Sequence, residues 1–67
     1  MDFLVVLEQG EDGWVIADVP QLPGCHTQGK DKQEALTNIR DAIELYLQDA
    51  DVVPTKLLGV EYVHVPA

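Results

Sequence analysis

Basic side chains and cysteine are both scarce in this chain. Of its 67 residues only four are Lys or Arg, against twelve Asp and Glu, and there is one cysteine. A single cysteine excludes an internal disulfide and a thiolate-rich zinc cluster, since each needs more sulfur ligands than one chain supplies. Lys30, Lys32, Arg40 and Lys56 are too few, and too diluted by neighbouring acids, to form the basic face that nucleic-acid binding usually requires. A formal net charge of -8 instead repels phosphate backbones and speeds encounter with a basic macromolecule. The longest uninterrupted apolar run, Phe3 to Leu7, is too short to span a bilayer or to form the core of a signal peptide. These absences lead to the expectation of a cytoplasmic protein, one domain over residues 1–67, with no membrane association, no direct DNA binding and no cofactor.

What is present is a pattern of short elements. Phe3 to Gln9 and Trp14 to Val19, separated by Gly10-Glu11-Asp12-Gly13, read as a β-hairpin. Both faces of this hairpin are apolar, because Phe3, Val5 and Leu7 alternate with Leu4 and Val6, and Val15, Ala17 and Val19 with Trp14 and Ile16. Pro20 closes the second strand, and Gln21-Leu22-Pro23-Gly24 is a turn in which Gly24 is free to take the positive φ of a type II turn. Cys25 to Gln28 is a short third strand. Asp31 and Glu34 have capping-box spacing, and Ala35, Leu36, Ile39, Ala42, Ile43, Tyr46 and Leu47 then follow as one helical stripe ending near Gln48 or Asp49. Arg40 and Glu44 are spaced to pair on its flank. Val52 to Gly59 is a connection, and Val60 to Val65 reads as a last strand. The expected fold class is α+β, ordered β-β-β-α-β, an antiparallel sheet with one helix on one face. One helix covers only one face, so the second apolar face is a candidate surface for self-association.

The chemistry-bearing residues do not converge in the sequence. Cys25 and His26 are adjacent, so on a strand they point to opposite sides of the sheet and cannot act as nucleophile and base for each other. Cys25 fits a small buried hydrophobe, and His26 a surface residue that contacts water or a partner. His26 and His64 lack a metal-ligand spacing, Asp12 belongs to the hairpin turn, Asp31 to the helix cap, and Asp18 to the second strand. Gly24 and Gly29 do not form a phosphate-cradling loop. No catalytic, cofactor or metal site is expected, and the chain reads as a non-enzyme.

The run Asp18-Val-Pro-Gln-Leu-Pro-Gly-Cys-His-Thr-Gln-Gly29, followed by Glu34-Ala35-Leu36, Asn38-Ile39, Ala42-Ile43 and Tyr46-Leu47, resembles the HicB-type antitoxin domain over roughly residues 2–48. The resemblance implies a truncated ribonuclease-H-like arrangement. It also implies a function: covering a small basic mRNA-cleaving toxin of the HicA-like kind. Many relatives carry a further DNA-binding segment, for which the stretch after Leu47 is too short. An acidic domain can occupy the site that would otherwise take RNA phosphates. The expected partner surface has an acidic rim at Glu8, Glu11, Asp12 and Asp18 around Trp14, with His26 beside it. The alternative is an orphan regulatory or structural homo-oligomer that binds another protein or a small ligand without catalysis.

Overall fold

The computed structural model describes residues 2–49 and 53–66. It contains three strands, β1 (Val6–Gln9), β2 (Val15–Asp18) and β3 (His26–Gly29), followed by one helix, α1 (Lys32–Gln48). The strands form an antiparallel sheet in the order β1-β2-β3. Residues Leu7, Ala17 and Thr27 share one cross-strand row, and Val6, Asp18 and His26 share the next. The architecture is therefore the expected α+β arrangement of one antiparallel sheet with one helix packed against it.

The turns follow from their residues. Gly10 N–H donates to the Trp14 carbonyl at 2.8 Å and Gly13 N–H to the Gly10 carbonyl at 3.0 Å, with Gly13 at φ +87°, the geometry of a three-residue hairpin loop. The Asp12 carboxylate accepts from Trp14 N–H at 3.1 Å and fixes the loop's exit. The second turn is closed by Cys25 N–H on the Leu22 carbonyl at 2.9 Å, with Pro23 and Gly24 (φ +84°) in its central positions. The bonded turn is thus Leu22–Cys25, one residue beyond the frame suggested by sequence. The strand after it is also displaced by one residue. Gly29 is its last residue, not part of the loop, because it pairs with Val15 and is buried.

At the helix start, Asp31 Oδ1 accepts from Glu34 N–H at 2.8 Å, while Glu34 Oε1 accepts from Lys30 N–H at 3.0 Å. Two of the donors around the first turn are thereby satisfied reciprocally. The helix lies mainly on β3 and β2. Its approach is set at Gly29, where a Cβ would run into the backbone N and Cα of Ala35 and the carbonyl carbon of Glu34, the latter two at 2.9 Å. Asn38 Nδ2 donates to the Gln28 carbonyl at 2.9 Å, and Tyr46 Oη donates to the Pro23 carbonyl at 2.6 Å, so the helix is fastened to β3 at one end and to the second turn at the other. The buried core is Ala17, Val19, Leu22, Cys25, Ala35 and Ile39.

The expected fourth strand does not form within the chain. Residues 53–66 have no regular secondary structure and are exposed throughout. A strand exists only through a neighbour's backbone, and the hydrogen bonds this segment makes among the described residues all come from Thr55, whose N–H and Oγ1 reach the Gln21 carbonyl at 2.6 and 2.9 Å. Part of the connection expected at Val52 to Gly59 lies outside the described residues. Among the described residues Arg40 and Glu44 form no ion pair with each other, as suits an exposed pair that gains little in water.

Two substitutions test this account by urea denaturation. Asp31→Ala removes the cap and is expected to lower stability by about 1 kcal/mol. Gly29→Ala forces the helix off the sheet and is expected to cost about 3 kcal/mol.

Candidate functional site

Alternation along the strands sorts the candidate residues onto two sides. Ala17 is buried beneath the helix, so Ile16 and Asp18 face away from it. The register then places Val6, Glu8, Ile16, Asp18, His26 and Gln28 on one outer face. Three of the six expected partner-binding residues, Glu8, Asp18 and His26, are brought together there. Trp14, half-buried, precedes β2 in phase with Ile16 and Asp18, while Glu11 and Asp12 occupy the exposed tip of the hairpin at one end of the sheet. Asp12 also has the structural task described above.

Ile16 lies at the middle of this face, 43% exposed, between Glu8 on β1 and Gln28 on β3. Together with Val6 it gives the face an apolar centre flanked by two carboxylates. None of the six strand residues on it is Lys or Arg. His26 sits beside Asp18 in the register, yet neither makes an ion pair among the described residues. Gln28 and the central position of Ile16 were not singled out by sequence reasoning. The period-two pattern carries the signal for their side, but neighbours on other strands follow only from the register.

Cys25 and His26 lie on opposite faces, as their adjacency requires. Cys25 is buried in the core. Burial, reinforced by the negative charge of Asp18, pushes its thiol pKa up, so the sulfur stays protonated and unreactive. Among the described residues no group of three His, Cys, Asp or Glu side chains could hold a metal ion, and no helix is long and apolar enough to cross a membrane. The outer face combines carboxylates with apolar groups, and among the described residues no nucleophile is paired with a base.

Comparison with known proteins matches residues 3–57 to the HicB-like antitoxin of bacterial toxin-antitoxin systems. The chain belongs to this family. It is 44% identical over 66 residues to a UPF0150 protein of Archaeoglobus fulgidus, covering 97% of this chain and 96% of the relative. A second UPF0150 protein, from Thermoplasma acidophilum, is 50% identical over 48 residues, covering 72% and 70% of the two chains. Antitoxin HicB 1 of Photorhabdus laumondii is 35% identical over 71 residues, covering 98% of this chain but 46% of the antitoxin. No solved structure shows a significant match.

The HicB-like core makes a testable statement about its thiol. Cys25 is expected to react with iodoacetamide in the native protein only as fast as the fold opens, and rapidly in denaturant, as read by mass spectrometry. Because the folded thiol is raised, the unfolded chain loses its proton first. Stability should therefore fall as pH climbs above the ordinary thiol value of 9.0, and Cys25→Ala should remove that slope.

Proposed function

We propose that this HicB-like chain binds and neutralises a small basic mRNA-cleaving toxin through the outer face of its sheet. The observation that carries this reading is the composition of that face, Glu8 and Asp18 around exposed Ile16 with no Lys or Arg on its strands, in a chain of the HicB-like family. A ribonuclease that binds RNA presents cationic groups to phosphates, and carboxylates at comparable positions compete for the same groups. Ile16, with Trp14 and Val6 near it, supplies the desolvated centre that gives such an interface its affinity. Glu11 and Asp12 extend the negative field to the hairpin tip. The binding is inhibitory and non-catalytic, since it requires the antitoxin only to occupy the toxin's RNA site.

Self-association belongs to the same reading. It is also the main feature of the second one, an orphan homo-oligomer, which the exposed apolar residues of segment 53–66 favour. Toxin binding through the outer face and self-association through segment 53–66 are compatible, because they use different surfaces.

Isothermal titration against a purified small basic HicA-like ribonuclease tests the proposal. Binding at micromolar concentration or tighter in low salt is expected, weakening as salt rises. The double variant Glu8→Lys, Asp18→Lys should weaken it by about tenfold or more, mostly through slower association. No heat at micromolar concentration in low salt would sink the reading.

A further inference from the structure

The helix stripe is wider than the sheet it covers. Because α1 sits over β3 and β2, a groove of about 520 Å³ is left between the segment leading into β1 and the helix flank, lined by Asp2, Phe3 and Val5 on one side and Leu36, Arg40 and Ile43 on the other. Leu36 remains 39% exposed although its spacing marks it as part of the apolar stripe. The two sheet edges also differ. At β3 the helix side chain Asn38 occupies the Gln28 carbonyl, and Glu34 takes the N–H of Lys30 just beyond the strand, whereas among the described residues β1 has no side-chain partner on its backbone between Val6 and Gln9. An open edge beside an apolar groove is a site for one more strand.

The same chain contains an unpaired segment of matching character. Val60, Tyr62, Val63 and Val65 are all exposed, Tyr62 completely, and both parities of the run contain apolar side chains, as in a strand that is covered on both faces. Segment 53–66 carries one cation, Lys56, and one carboxylate, Glu61, so it brings no net charge to a chain of formal charge -8. It is held at Thr55, then leaves the body. The radius of gyration is 13.3 Å, against about 11 Å for a compact chain of this length.

We propose that residues 60–65 of one copy add as a fourth strand to the edge of β1 in a second copy, and that the exchange is reciprocal. The charges set the phase. Arg40, on the groove's rim, makes no ion pair among the described residues, and Glu61 is the only acid in the donated run. With Glu61 turned toward Arg40, Val63 and Val65 fall on the same face of the strand and enter the groove beside Leu36, Ile43, Val5 and Phe3. Tyr62 then joins the outer face beside β1. The occupant is a second copy because, within one chain, the segment lies away from its own body with its side chains in solvent. This inference is independent of the toxin reading, since it uses the sheet edge and not the outer-face carboxylates.

The test is sedimentation and light scattering of the full chain from micromolar to millimolar concentration. The expected particle is twice the 7.4 kDa of the chain. Val63→Asp, placed on an exposed segment so that the body still folds, should raise the dimer dissociation constant by about tenfold or more with an unchanged circular dichroism spectrum. Arg40→Glu and Glu61→Arg should each weaken the dimer, and the double variant should recover most of the loss. A 7.4 kDa particle at every concentration would overturn the exchange. So would a dimer indifferent to Val63→Asp, or charge reversals whose losses simply add in the double variant.

Discussion

The close approach of helix and sheet at Gly29 sets the geometry of the whole molecule. With no side chain at that position, the backbone of Ala35 comes down onto β3, and the first turn of the helix is tied to the strand's exit by the Glu34 carboxylate on Lys30 N–H. From that contact the helix axis can only run back over β3 and β2, toward the turn where Tyr46 reaches the Pro23 carbonyl. Ala17, Val19, Leu22, Cys25 and Ile39 are buried as a consequence. A chain this small has few apolar contacts to lose, so a contact that fixes the placement of α1 affects most of its core.

Two surfaces are left over by that placement, and they differ in chemistry. The outer face of the sheet combines Glu8 and Asp18 with Ile16 and Val6, the combination on which the proposed toxin binding rests. The groove beside the helix flank is lined mainly by apolar side chains, with Asp2 and Arg40 as its charged members. Gln21 links the two ends of the chain to this frame. Its side-chain oxygen accepts from Leu4 N–H at 2.8 Å, and its carbonyl receives Thr55, so the start of β1 and the beginning of the exposed segment meet at one residue of the turn.

Several local features were legible because they depend on neighbours in sequence. Asp31 and Glu34 announced the helix start, Pro23-Gly24 the tight turn, and Gly10 and Gly13 the hairpin, since each reflects a backbone or capping demand satisfied within a few residues. The opposite orientation of Cys25 and His26 followed from alternation alone. The sequence pattern ends the third strand at Gln28, one residue short of Gly29, because the reason for a glycine there, the backbone of Ala35, lies across a layer boundary. The run Val60–Val65 has strand composition, but composition does not supply the neighbouring backbone that makes a strand.

The sequence by itself determined the α+β class, the element order through the helix, the opposite orientation of Cys25 and His26, and the family likeness, because propensity, periodicity and turn chemistry are local. Tertiary structure alone decided which acids share a face, which edge of the sheet stays open, and where the apolar groove lies. Those depend on strand register and on the offset of the helix toward β3, and both are set by contacts between residues distant in the chain.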